Sequence, residues 1–97
     1  MVVGSLRVRL LLRESRSLKD KRQVVRSIKD RLRNSFNVAA AEVDEEDNRQ
    51  VAVLGVVAVG NEVSQVRSTL EQIAAALRSH PVAEFVDQAM EVERCLE

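Results

Sequence analysis

Val51-Ala52-Val53-Leu54-Gly55-Val56-Val57-Ala58-Val59 is a run without a single polar side chain. A strand with one wet face alternates apolar and polar residues. A run apolar on both faces therefore predicts a central strand covered on both sides. This strand is expected from about Arg49 to Val59. Just before it, Asp44-Glu45-Glu46-Asp47-Asn48 reads as a hairpin turn, with Val38 to Asp44 as the strand that pairs through it. Just after it, Gly60-Asn61 breaks the strand and Asn61 stands where a helix cap is expected. Val63, Val66, Leu70, Ile73 and Leu77 then recur at helical spacing, and Ala74, Ala75 and Ala76 favour the helix further. His80-Pro81 stops it. In the tail, about Ala83 to Leu96, Met90 and Val92 alternate with Glu91 and Glu93, which predicts a last strand.

The chain opens with the same period of two. Positions 2, 6, 8, 10 and 12 are apolar, with Gly4 among them, and positions 5, 7, 9 and 13 are polar. Ser17 is a good N-cap for a helix from Leu18 to about Ser35. Leu18, Val25, Ile28 and Leu32, with Val24 beside them, form its apolar stripe. The order strand-helix-strand-strand-helix-strand is the split βαβ arrangement. It predicts a single α+β domain over residues 1–97, a ferredoxin-like βαββαβ sandwich. Its four-stranded antiparallel sheet has the first and third strands central and both helices on one face. The other face is open, yet the third strand is apolar on that side too. A homodimer through the open sheet face is the expected cover, with a bound ligand as the alternative.

Hydrophobic residues make up 45% of the chain, too many for a disordered segment. Phe36 and Phe85 are the only aromatics, so the core is built from Val, Leu, Ile and Ala. Cys95 has no partner for an intramolecular disulfide, which fits a reducing compartment. Arg7 and Arg9 interrupt the apolar N-terminal stretch, unlike a signal peptide, and no apolar window is long enough to span a bilayer. A cytoplasmic protein with no membrane partner is expected.

Residues for catalysis are scarce. His80, the only histidine, sits at a helix C-terminus, where the helix dipole favours it. Cys95 has neither a second thiol nor a basic cluster around it, and one His with one Cys makes no zinc site. Gly4, Gly55 and Gly60 are isolated, so no phosphate-cradling glycine motif is present. The acidic run Glu42, Asp44, Glu45, Glu46, Asp47 lacks the alternating ligands and bend glycine of a calcium loop, and reads as a solvated turn. The expectation is a binding protein, not an enzyme, with no metal and no cofactor.

Charge is the strongest positive signal. Residues 1–36 hold eleven Lys/Arg against three acids, a net +8, and residues 37–97 hold four against twelve, a net −8. Such a split implies a partner of one sign, association between the two halves, or pairing inside the fold. Lys19, Arg22, Arg26, Lys29 and Arg33 step by 3, 4, 3 and 4, so they line one stripe beside the apolar face of the first helix. Lys21 adds a charge in the first turn, where the helix dipole disfavours cations but would favour a bound phosphate. Lys19, Lys21, Arg22, Arg26, Lys29 and Arg33 are thus the candidate nucleic-acid or anion-binding residues; the competing reading is a solvated helix face. Arg7 and Arg9 point to the open sheet face, where Glu91 and Glu93 are expected opposite them as cross-strand pairs. The central strands carry no aromatic to stack bases, so any RNA contact is expected through phosphates at the helix.

Val3-Gly4-x-Leu6-x-Val8, Ser15-Arg16-Ser17-Leu18-Lys19-x-Lys21-Arg22-x-Val24-Val25, Arg31-Leu32-Arg33-Asn34-x-Phe36-Asn37-Val38 and Ala41-Glu42-Val43-Asp44 together resemble the YlxP-like family of small bacterial proteins of unknown function. The resemblance covers nearly the whole chain, and Ser-Leu-Lys-x-Lys-Arg is its most specific part. It implies a ferredoxin-like fold and a gene neighbourhood among translation and transcription factors, hence a ribosomal RNA or ribosomal particle as partner. It supplies no catalytic residues. Many members carry a large aromatic in the hairpin where this chain has Asn48-Arg49-Gln50.

Overall fold

The computed structural model describes all 97 residues. The elements follow the expected order: β1 (Val2–Leu11), α1 (Leu18–Ser35), β2 (Val38–Glu42), β3 (Val51–Gly60), α2 (Val63–Arg78) and β4 (Glu84–Arg94). They form one antiparallel sheet of order β2-β3-β1-β4, with β3 and β1 central. This is the ferredoxin-like α+β arrangement. The buried side chains of β1 are Val2, Leu6, Val8 and Leu10; on β3, Val56, Leu54 and Ala52 stand opposite the last three, and the buried Ala58 stands opposite Gly4. Against them pack Val25, Ile28 and Leu32 of α1 and Val66, Leu70, Ile73 and Leu77 of α2. Both helices thus cover one face. Gly4 lies under α2 because it has no side chain: a Cβ there would stand 2.5 Å from Val66 Cγ1 and 2.8 Å from Leu70 Cδ1.

Local chemistry sets the element ends. Ser17 caps α1, its Oγ accepting from Asp20 N at 3.0 Å, while Asp20 Oδ2 accepts from Arg16 N. β2 stops at Glu42, two residues earlier than its pattern predicts, because Asp44 and Glu45 take left-handed backbone angles (φ 51 and 46). β3 begins at Val51 because Asn48 Oδ1 accepts the N–H groups of Gln50 and Val51. Asn61 does not cap α2. Glu62 occupies the N-cap position, and no side chain bonds the free amides there.

The open face divides along the strands. At one end Arg9 opposes Val53 and is braced between Asp87 of β4 and Glu45 of the β2–β3 turn, each at 3.8 Å. Val53 is 0% exposed although it lies on this face. At the other end nothing lies over Val57 and Val59, which are 41% and 59% exposed. The expected pairing of Glu91 and Glu93 with Arg7 and Arg9 does not form. The register places Glu91 opposite Ser5, Glu93 opposite Val3, Ala89 opposite Arg7 and Asp87 opposite Arg9. It is set at the chain ends, where Cys95 N donates to Met1 O.

His80 does not act as a cation at the end of α2. Its Nδ1 accepts from the N–H groups of Val82 (3.2 Å) and Ala83 (3.0 Å), so the ring holds the turn into β4 as a neutral acceptor. Burial, and secondarily the positive charge of Arg31, keep its pKa below the usual 6.5. A histidine whose pKa falls on folding stabilises the fold fully above the unfolded value, and that contribution is lost as pH falls through the folded-state pKa. Urea unfolding of wild type and His80→Gln is therefore expected to show a stability gap at pH 7.5 that narrows towards pH 5. A gap independent of pH would contradict the acceptor role.

Candidate nucleic-acid interface

α1 carries its charges in two different environments. Lys21 falls in the helical phase of Val25, Ile28 and Leu32, at steps of 4, 3 and 4, and is as buried as they are, at 1% exposure. Its ammonium donates to the carbonyl oxygens of Glu45 (2.9 Å), Glu46 (3.1 Å) and Val51 (3.2 Å). Three carbonyls match its three protons. Glu42 Oε2 stands 2.8 Å from the same nitrogen and has no other polar partner, so it pairs by charge. Lys21 is thus a correction to the candidate list: it is a clamp between α1 and the β2–β3 hairpin, closed to any ligand.

The phosphate site expected at the α1 N-terminus is not there either. An open cleft of about 890 Å³ lies beside that terminus, and Glu45, Glu46 and Asp47 line it together with Arg16, Asn48 and Arg49. Three acids in that lining, against the two arginines, oppose an anion. Ser17 and Asp20 already occupy the free amide of Asp20 and the N–H of Arg16.

The other five candidates stay together on one flank of α1. Lys19, Arg22, Arg26 and Arg33 are exposed and Lys29 is half-buried. The ion pairs of the molecule involve Arg9, Arg13, Lys21 and Arg94, and none of the five has a carboxylate within 4.0 Å. Arg33 differs from the rest because its Nη2 donates to Ala40 O at 2.6 Å. Val43 N bonds Val53 O, so the alternate residue Ala40 turns its carbonyl to the free edge of β2. Arg33 therefore covers part of an edge strand and also places the basic flank beside that edge. Elsewhere, no three His, Cys, Asp or Glu side chains converge as metal ligands would, and no helix is long and apolar enough to cross a membrane.

The molecule is thus a small α+β protein of the ferredoxin-like kind, with a basic flank on its first helix. Residues 3–90 match the family described as "Protein of unknown function (DUF503)", and the chain belongs to that family. It is 30% identical over 95 residues to "Uncharacterized protein YlxP" of Bacillus subtilis (strain 168), which covers 98% of this chain and 94% of that protein.

The clamp is open to direct test. Removing one partner of a buried pair strands the other, so Lys21→Met is expected to cost about 3–5 kcal/mol in urea unfolding. Adding Glu42→Leu should recover much of that loss. A single-variant loss below about 1 kcal/mol would show that the clamp contributes little.

Proposed function

We propose that this is a non-catalytic binding protein whose α1 flank engages structured RNA, with a ribosomal RNA or ribosomal particle as its partner in the cytoplasm. One observation carries the reading: Lys19, Arg22, Arg26 and Lys29 share a flank with no carboxylate within 4.0 Å of any of them. A solvated helix face on a protein of zero net charge is usually threaded with paired acids; here Asp30, four residues from Arg26, is the acid nearest in helical phase, and it makes no ion pair within 4.0 Å. The binding energy comes from displacing counterions from phosphates. With four cations engaged, log affinity is expected to fall against log salt with a slope of about −3. Arg22→Glu/Arg26→Glu/Lys29→Glu should abolish binding to bulk ribosomal RNA in a filter assay while leaving unfolding unchanged. Absence of RNA binding by wild type at low salt would overturn the reading.

A second reading concerns the open face, where Val57 and Val59 are bare. Arg7 and Glu91 stand exposed on the same face without an ion pair. A two-fold related copy offers each an opposite charge and covers the valines, the self-complementarity an isologous dimer needs. Sedimentation equilibrium is expected to give twice the 10.9 kDa chain mass, and the single-chain mass for Val59→Lys. The α1 triple variant should remain dimeric. A wild-type monomer at micromolar concentration would remove this reading.

A further inference from the structure

α1 and α2 lie side by side on the sheet and share one core cluster. Between the C-terminal end of α1 and the N-terminal half of α2 lies a recess of about 420 Å³. Its apolar lining is the buried Ala58 and Val66, the half-buried Phe36, and Val59. Its polar lining includes Asn37, Gln65 and Gln72. Gln72 Nε2 donates to Ser68 Oγ at 3.2 Å, which fixes the amide and leaves its oxygen free to accept. No charged side chain lines the recess.

A site of this make-up selects neither an anion nor a cation. It suits a flat, neutral group with donors and acceptors along its edge and an apolar face. Carboxamides read base edges in this way, and an aromatic ring supplies a stacking surface. The recess opens at the C-terminal end of α1, where Ser35, Phe36 and Asn37 line it just beyond Arg33, so a strand that rounds this end from the β2 side reaches it. We infer that it takes one unpaired nucleobase of an RNA strand whose phosphates lie on α1. The inference rests on the RNA reading above and adds to it that the RNA is single-stranded or bulged where it meets the end of α1.

The test compares an eight-nucleotide single-stranded RNA with an abasic strand of the same length and charge, by fluorescence anisotropy at fixed salt. Wild type is expected to bind the base-bearing strand about tenfold more tightly. Gln65→Ala/Gln72→Ala, which changes two exposed helix positions to a good helix former, should remove that preference but keep binding to both strands. Phe36→Leu, which keeps the apolar lining and deletes the ring, should shrink it. Equal wild-type affinity for the two strands would overturn the recess and leave the polyanion surface standing. A preference that survives in the glutamine variant would overturn the assignment to this recess. Failure of both strands to bind while bulk ribosomal RNA is still bound would overturn the recess alone; failure of bulk ribosomal RNA as well would overturn the RNA reading with it.

Discussion

The buried ammonium of Lys21 is the contact on which the arrangement of the basic side of this molecule depends. A lone charge in an apolar core costs several kcal/mol, and only a complete set of partners offsets it. Here the partners are three backbone carbonyls and one carboxylate, all supplied by the β2–β3 hairpin. The hairpin turn has two left-handed residues in succession, Asp44 and Glu45, a conformation that side-chain-bearing residues seldom adopt. Lys21 holds that turn by the carbonyls of Glu45 and Glu46. In return, the turn fixes the rotation of α1 about its axis. With Lys21 pointing inward, Arg22, Arg26 and Lys29 must face the β2 side. With Glu45 anchored, its carboxylate reaches Arg9 across the open face. One interaction thus sets the exposure of the basic flank, the acidity beside the α1 N-terminus, and the covering of Val53.

Much of the fold was legible in the sequence because the period of the apolar residues fixes it. The alternation at 2, 4, 6, 8, 10 and 12 gives β1, and the 3-4 repeats give both helices close to their observed ends. What remained hidden depends on contacts between distant segments. The β4 register cannot be read from alternation, since a shift of two residues preserves the pattern; only the bond between Cys95 and Met1 and the break after Arg9 decide it. The same holds for His80, whose acceptor role depends on how the chain turns after Pro81.

The candidate site was legible in its period and misleading in its chemistry. Lys21 completes the inward row of Val25, Ile28 and Leu32, so its spacing already marked it as a core position. Its charge suggested the surface instead, because lysine is almost never fully buried without a partner. The partner was the hairpin, 21 residues or more along the chain, and no local pattern reveals it. Arg33 is similar: its phase puts it on the basic flank, but only the sheet shows that Ala40 O lies within its reach. The recess between the helices was not legible at all, since Phe36, Gln65 and Gln72 belong to different elements and only the spacing of the helices brings them together.

The division of charge along the chain, +8 followed by −8, also finds its physical meaning in the fold. Four of the five ion pairs join the basic first segment to the acidic remainder, so pairing inside the molecule is real. Yet those four engage only Arg9, Arg13 and Lys21, leaving eight of the first segment's eleven cations without a carboxylate within 4.0 Å. The unpaired cations concentrate on α1 beside the β2 edge, whereas Glu91 and Glu93 lie on β4, the opposite edge of the sheet. Internal pairing therefore accounts for the strands and the buried lysine and leaves α1 unneutralised. The result is a molecule of zero net charge whose unpaired cations gather on the α1 flank, while its acids lie in the β2–β3 hairpin and on β4. On the reading proposed above, the cations of the α1 flank are the part of the surface that would draw a polyanion and orient its encounter before contact. The α1 flank and the open sheet face are separate surfaces of the fold, so the two proposed contacts do not compete for the same residues.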